Sequence, residues 1–121
     1  MNTDTDRELL ELAAKAAGIE GAYESWTGQG FKDGIRQILN GAKCQRPWNP
    51  LTDDGDALRL AVRLNISIHR PVQGDSVEHW GTYADHGNGD ISIKVRDESD
   101  ALAATRRAIV QAAASIGRAM P

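Results

Sequence analysis

The stretch WNPLTDDGDALRLAVRLNISIH, Trp48 to His69, changes its hydrophobic period part-way along, and that change decides the fold class. Pro47 and Pro50 hold the approach extended. Thr52 or Asp53 can then cap a helix, and Asp53, Asp54 and Asp56 complement its positive end. Leu58, Ala61 and Val62, followed by Leu64, supply an apolar face, which predicts a helix from about Thr52 or Asp53 to Leu64. After Leu64 the period becomes two. Ile66 and Ile68 alternate with Asn65, Ser67 and His69, the pattern of a strand that ends before Pro71. The aspartates are most economically helix-start chemistry. A calcium loop is the sharper alternative, but an EF-hand needs oxygen ligands at alternating positions, a central Gly and a late Glu, and this run fails that spacing.

Working toward the C-terminus, Gln73, Gly74 and Asp75 make a turn and Val77 to Ala84 reads as a second strand. Asp85-His86-Gly87-Asn88-Gly89-Asp90 is a turn into a third strand, Ile91 to Arg96, with Ile91, Ile93 and Val95 on one face and Ser92, Lys94 and Arg96 on the other. Ser99 is the expected cap of a last helix, from Asp100 to about Ile116. Its stripe of Leu102, Ile109, Ala113 and Ile116 runs down to Gly117, read as the stop.

Toward the N-terminus, Thr5 and Glu8 form a capping box. Leu9, Leu12, Ala13, Ala16 and Ala17 recur at helical spacing before Gly18, predicting a helix from about Asp6 to Ala17. Between Ile19 and Pro50 the pattern weakens. Phe31, Ile35, Ile38 and Leu39 suit one face of a short helix, while Asn40-Gly41 suits a hairpin turn between a strand ending at Leu39 and one beginning near Ala42; the hairpin is preferred. The expected architecture is α+β, a three-stranded antiparallel meander packed by N-terminal, middle and C-terminal helices, in a single domain over residues 1–121.

Composition limits what such a domain does. Its 121 residues are 40% hydrophobic and 26% charged, with a formal charge of -3. A chain of this length buries roughly two thirds of its unfolded surface and folds without disulfide or metal. Lys and Arg number 14 against 17 Asp and Glu, which excludes the basic excess of a sequence-independent nucleic-acid binder. Most of those cations are arginine, the better planar partner for carboxylate and phosphate, so local anion sites fit inside an acidic whole. No window approaches the roughly 18 to 20 apolar residues of a membrane span, and Met1 to Glu8 is acidic where a signal peptide is basic and apolar. With a lone Cys44, the expectation is a protein of a reducing cytoplasm.

No tight catalytic constellation is visible. His69, His79 and His86 lack the spacing of a metal site, Cys44 has no nameable base, and Gly28-Gln29-Gly30 and Gly87-Asn88-Gly89 lack the third glycine of a dinucleotide fingerprint. The expectation is a binding protein with no cofactor, no metal and no enzymatic activity.

A binding face is better motivated. If the isoleucines of the meander pack on helices, the opposite face offers Ser67, His69, Ser92, Lys94 and Arg96. One parity of the middle strand adds Glu78, Trp80 and Thr82, while the other places Trp80 in the core. In the first case a base stacks on Trp80 while Lys94 and Arg96 meet phosphates. Arg106 and Arg107 cannot both lie on the core stripe; they serve surface ion pairs or an anion site at a subunit interface. The candidate ligand-binding residues are therefore Trp80, Lys94, Arg96, His69 and Arg106. Trp26 and Trp48 either anchor their loops or form a contact patch.

Three segments, RELLELAAKAAGIE at Arg7 to Glu20, WNPLTDDGDALRLAV at Trp48 to Val62 and AATRRAIVQAAASIG at Ala103 to Gly117, together resemble small phage and prophage proteins related to those carrying a phage α-β-α sandwich domain. The resemblance covers about a third of the chain strongly. It implies phage origin and action in the host cell cytoplasm, and it carries over no catalytic residue. In that setting counter-defence is the expected role. The expected form is a homo-oligomer that sequesters a nucleotide-derived immune messenger without cleaving it; the alternative is an inhibitor that occludes a host defence protein through Trp26, Trp48 and the Asp53 to Asp56 turn.

Overall fold

The capping box at Thr5 forms as its sequence predicts. In the computed structural model, which describes residues 5–25, 33–44, 46–70, 82–87, 91–95 and 100–121, the Glu8 N–H donates to the Thr5 hydroxyl and the Thr5 N–H donates to the Glu8 carboxylate. These bonds start α1 (Asp6–Ala17), which Gly18 ends in the left-handed conformation at φ 71°.

Past α1 the chain forms a sheet with β1 (Gly21–Glu24), β2 (Gly34–Leu39) and β3 (Ala42–Lys43), antiparallel in that order. The preferred hairpin is present. Asn40 and Gly41 take φ of 54° and 80°, the pair of positive values that a two-residue turn of matching twist requires. Ile35, Ile38 and Leu39 therefore lie on a strand and not on the competing helix. Gly34 faces the chain before α2 so closely that a Cβ there would stand 2.7 Å from the Trp48 carbonyl oxygen; Ile35 and Trp48 exchange backbone hydrogen bonds at 2.8 and 2.9 Å. Trp48 is only 7% exposed, so it anchors its loop and is not a contact patch.

Asp53 caps α2 (Asp54–Arg63) by accepting from the Asp56 N–H. The helix is rotated relative to the expected apolar face. Asp56, Ala57, Leu60 and Ala61 are buried, whereas Leu58 and Val62 are 62% and 74% exposed. Ala57, Leu60 and Ala61 form a complete inward stripe, and Leu58 and Val62, four residues apart, form a second one on the outer side.

A second antiparallel sheet follows, the expected meander, with β4 (Ile66–His69), β5 (Thr82–His86) and β6 (Ile91–Val95) in that order. The expected Val77 to Ala84 strand falls partly outside the described residues. Its C-terminal end runs two residues further than expected: Asp85 pairs with Ser67 and Ser92, and His86 with Ile66 and Ile91, so both belong to the ladder and not to the turn. Thr82 and Ala84 are fully buried, which corrects the arrangement that placed Thr82 on the outer face. The Thr82 hydroxyl accepts from Arg70 at 2.6 Å and lies 3.2 Å from the Thr105 hydroxyl, which donates to the Ala101 carbonyl. That relay satisfies a buried hydroxyl, the condition for keeping it in a core.

The last helix, α3 (Ala101–Ala119), is capped by Asp100, whose carboxylate accepts from the Ala103 N–H at 3.0 Å; Ser99, the expected cap, lies outside the described residues. One side of α3 covers β4, β5 and β6, and another lies along α1, which also rests on β1 and β2; α2 packs on α3 and β4. Two faces of α3 are thus buried, and the core stripe includes Ala104, Ala108, Ile109, Ala112 and Ala113, while Leu102 is 63% exposed. Gly117 does not end this helix. It sits inside it against α1, where a Cβ would stand 2.1 Å from the Leu12 carbonyl oxygen. With Ala13, Ala14 and Ala17 opposite alanines of α3, the two helices approach nearly backbone to backbone. No helix among the described residues is long and apolar enough to cross a membrane.

Candidate functional site

The outer face of the β4–β6 sheet carries part of the expected site. Pairing places His69 opposite Tyr83 and Tyr83 opposite Lys94, so His69 and Lys94 share one face with Tyr83 between them. The Lys94 ammonium lies 5.5 Å from the centre of the Tyr83 ring, and His69 Nε2 lies 3.0 Å from the Asp85 carboxylate. The aromatic beside Lys94 is therefore a tyrosine on the facing strand. Trp80 and Arg96 lie outside the described residues. Arg106 is on α3, across the sheet from His69 and Lys94. Its Nε donates to the Leu51 carbonyl at 2.9 Å and its Nη1 to Asp54 at 2.6 Å, tying α3 to the start of α2. Arg107 pairs with Asp6 at 3.0 Å. Arg106 and Arg107 are thus engaged within the chain, and among the described residues the outer face is a row of cross-strand pairs.

A recess lies at another place in the fold. A cleft of about 670 Å³ opens between the end of α1, β2, Cys44 just past β3, the chain at 46–48 and one side of α2. Its apolar wall includes Ile19, Trp48, Leu58, Leu60 and Val62, and Arg46, Arg59 and Arg63 stand among them. The volume is within the roughly 300–1,000 Å³ that takes one small organic ligand.

Asp56 organises the cationic side. Its carboxylate, almost fully buried, accepts from the Asn49 N–H at 3.0 Å, from Arg46 at 3.0 Å and from Arg59 at 2.8 Å. Asp53 adds a second carboxylate, 3.2 Å from Arg46 and 3.9 Å from Arg59. Two aspartates thus hold two guanidinium groups at the cleft in fixed positions, and the helix cap is part of the same cage. Arg63 differs. It is exposed, it lines the cleft, and among the described residues it makes no hydrogen bond or ion pair. Its Nη2 rests 3.5 Å from where a Cβ on Gly18 would be, beside the C-terminal end of α1, whose partial negative charge favours a cation there. Among these five side chains, three arginines against two aspartates leave a formal excess of one positive charge.

Accepting the Asp56 N–H, and beyond that the nearby Arg46 and Arg59 charges, hold the Asp53 carboxyl below the ordinary carboxylate value, against a desolvation that acts the other way. A depressed folded value means that its contribution is fully present above the unfolded value of about 3.9 and is lost as pH falls through the folded value. Asp53→Asn keeps a capping oxygen but never ionises. The wild type is expected to exceed it in urea stability at pH 6 by less than about 1 kcal/mol, since the carboxylate is partly exposed, and the difference is expected to shrink as pH falls below the unfolded value. A difference constant across that range would show that the charge contributes nothing.

None of the cleft arginines was singled out from sequence as a ligand group. The signal was nevertheless present: Leu58 and Val62 alternate with Arg59 and Arg63 on a helix whose inward face is already complete without them. Cys44 also lines this cleft, and it is the chain's one thiol. Among the described residues no three His, Cys, Asp or Glu side chains come together as a metal-holding group. In comparisons with protein-family models, curated proteins and solved structures, nothing matches the chain.

Proposed function

We propose that the protein captures a small organic anion of the nucleotide class in the cleft beside α2 and holds it without cleaving it. The observation that carries this reading is an apolar-walled recess of about 670 Å³ with three guanidinium groups on it, one of them without a hydrogen bond or ion pair among the described residues. An apolar wall accepts the face of a base or sugar, and guanidinium groups accept phosphate oxygens in a planar, two-pronged geometry. Both carboxylates at the cleft already accept hydrogen bonds, Asp56 from Arg46, Arg59 and Asn49, and Asp53 from the Asp56 N–H. Neither is poised as a general base, which supports capture over turnover. The phage resemblance supplies the biological setting: sequestration of a nucleotide-derived immune messenger in the host cell cytoplasm by a homo-oligomer.

The exposed Leu58 and Val62 on α2 favour one second reading, occlusion of a host defence protein. Trp48, expected to contribute to such a surface, is buried, and Trp26 lies outside the described residues. One experiment separates the two. The protein is purified from cells with an active nucleotide-signalling defence, sized in its native state, then heat-denatured, and the supernatant is analysed by mass spectrometry. Release of an intact nucleotide is the expected result. A stable host protein partner with no released small molecule would replace capture with occlusion.

A further inference from the structure

We infer that the cleft selects a nucleotide carrying a single negative charge, a phosphodiester in place of a polyphosphate chain, and that Arg63 is the residue that grips it. The inference rests on the reading of the cleft as a nucleotide-class anion site and names its charge class and its principal contact.

The charge arrangement leads to it. Arg46 and Arg59 are each shared between Asp53 and Asp56, and Asp56 cannot swing away, because its carboxylate is buried and also accepts the Asn49 N–H. A ligand oxygen reaching those two guanidinium groups meets positive charge already matched by two carboxylates close behind them. Arg63 makes no hydrogen bond or ion pair among the described residues and lies at the far end of α2 from the two aspartates, beside the C-terminal cap of α1. One uncompensated guanidinium matches one anionic group. A second or third phosphate would have to displace an aspartate from its arginines, sit against that aspartate's charge, or remain in solvent, and none of these adds favourable interaction.

The wall supports the same geometry. Leu58 and Val62 lie one helical turn apart next to Arg59 and Arg63, so an apolar ring resting on them places its charged substituent beside the Arg63 end of the helix. That division of labour, a ring on aliphatic side chains and an anion on a guanidinium, requires a ligand with both parts. Inorganic phosphate lacks the first and adenosine the second.

Cys44 provides the readout. It lines the cleft and is the sole cysteine, so its alkylation by the neutral reagent iodoacetamide reports occupancy as a single mass shift. The probes are the cyclic 3′,5′-monophosphates of adenosine, guanosine, cytidine and uridine, together with AMP, ATP, adenosine and inorganic phosphate. Calorimetry is run on the same solutions. At least one cyclic monophosphate is expected to slow alkylation at concentrations where ATP, adenosine and phosphate do not. Arg63→Ala is expected to weaken that ligand's binding about tenfold to a hundredfold. Arg63 has no hydrogen bond to lose among the described residues and is exposed, so the variant should fold. Arg7→Ala, which removes an equal charge from the exposed face of α1, is expected to leave binding unchanged. Protection by ATP equal to or better than that of every cyclic monophosphate overturns the charge class while leaving nucleotide capture intact. Unchanged binding in Arg63→Ala overturns its role. Absence of protection and heat by every probe overturns the inference, while the fate of the broader reading is decided separately by whether the heat-denatured protein releases a nucleotide.

Discussion

Gly117→Ala is expected to lower the stability of the protein by about 2 kcal/mol, even though alanine is the better helix former. In an exposed helix interior the same exchange stabilises by roughly 1 kcal/mol, because glycine loses more backbone freedom on folding. Here the new methyl would lie 2.1 Å from the Leu12 carbonyl oxygen, a backbone atom that cannot rotate away. To relieve the contact α1 and α3 must separate along an interface built of small residues, among them Ala13, Ala14 and Ala17. Overpacking of that kind costs typically 1–3 kcal/mol and more when backbone must move, which outweighs the propensity gain. Thermal unfolding should show a fall on the order of 5–10 °C. Gly117→Val, with two further carbons and a stiff side chain, should fall further. A rise in melting temperature for the alanine variant would mean that the helices are not in this contact.

Asp56→Ala should cost about 2–3 kcal/mol, again visible as a shift of the urea midpoint with little change in slope. Removing the carboxylate leaves the buried Asn49 N–H without its acceptor, a loss of about 1–3 kcal/mol by itself. It also strips Arg46 and Arg59 of the group that each approaches most closely, at 3.0 and 2.8 Å. Those guanidinium groups are largely exposed and regain water, so the penalty stays below that of a fully buried ion pair. The neighbouring Asp54, whose side chain is 68% exposed and pairs only with Arg106 among the described residues, serves as the comparison: Asp54→Ala should cost less than about 1 kcal/mol. Equal losses for the two substitutions would show that Asp56 is one more surface charge and that the arginine cage does not hold α2 to the chain before it.

Much of the local structure was legible. Thr5 with Glu8, Asn40 with Gly41, and Asp53 before an apolar run each name a bond or a backbone angle within a few residues, and each is found where the pattern places it. The alternation at Ile66 to His69 and at Ile91 to Val95 is likewise realised as strands. Less was legible of β1. GAYE has no alternation, and its partner strand starts ten residues beyond its end, so pairing and not propensity makes it a strand. The expected binding face was half legible: alternation correctly put His69 and Lys94 on one side of the meander, but whether that side held a recess depended on what the neighbouring strand offered, which was Tyr83 and Asp85.

The cleft was the least legible feature, for a reason particular to α2. Leu58 and Val62 look like core residues in a helical pattern, and only the burial of Ala57, Leu60 and Ala61 against α3 and β4 turns them outward. A sequence of this kind has two apolar stripes, and periodicity alone does not rank them. Arg46, Arg59 and Arg63 converge because the β2–β3 hairpin and the bridge between Ile35 and Trp48 bring the chain at 46–48 against the helix.

The sequence by itself determined the caps that start α1 and α2, the three helices and the alternating strands, and favoured the hairpin turn, because each depends on hydrogen bonds or backbone angles set within about four residues of chain. Only the tertiary structure decided which stripe of α2 faces outward, why Gly117 must lack a side chain, and which arginines gather at one cleft. Those outcomes depend on contacts between segments tens of residues apart, where a side chain's role is set by what the fold brings opposite it.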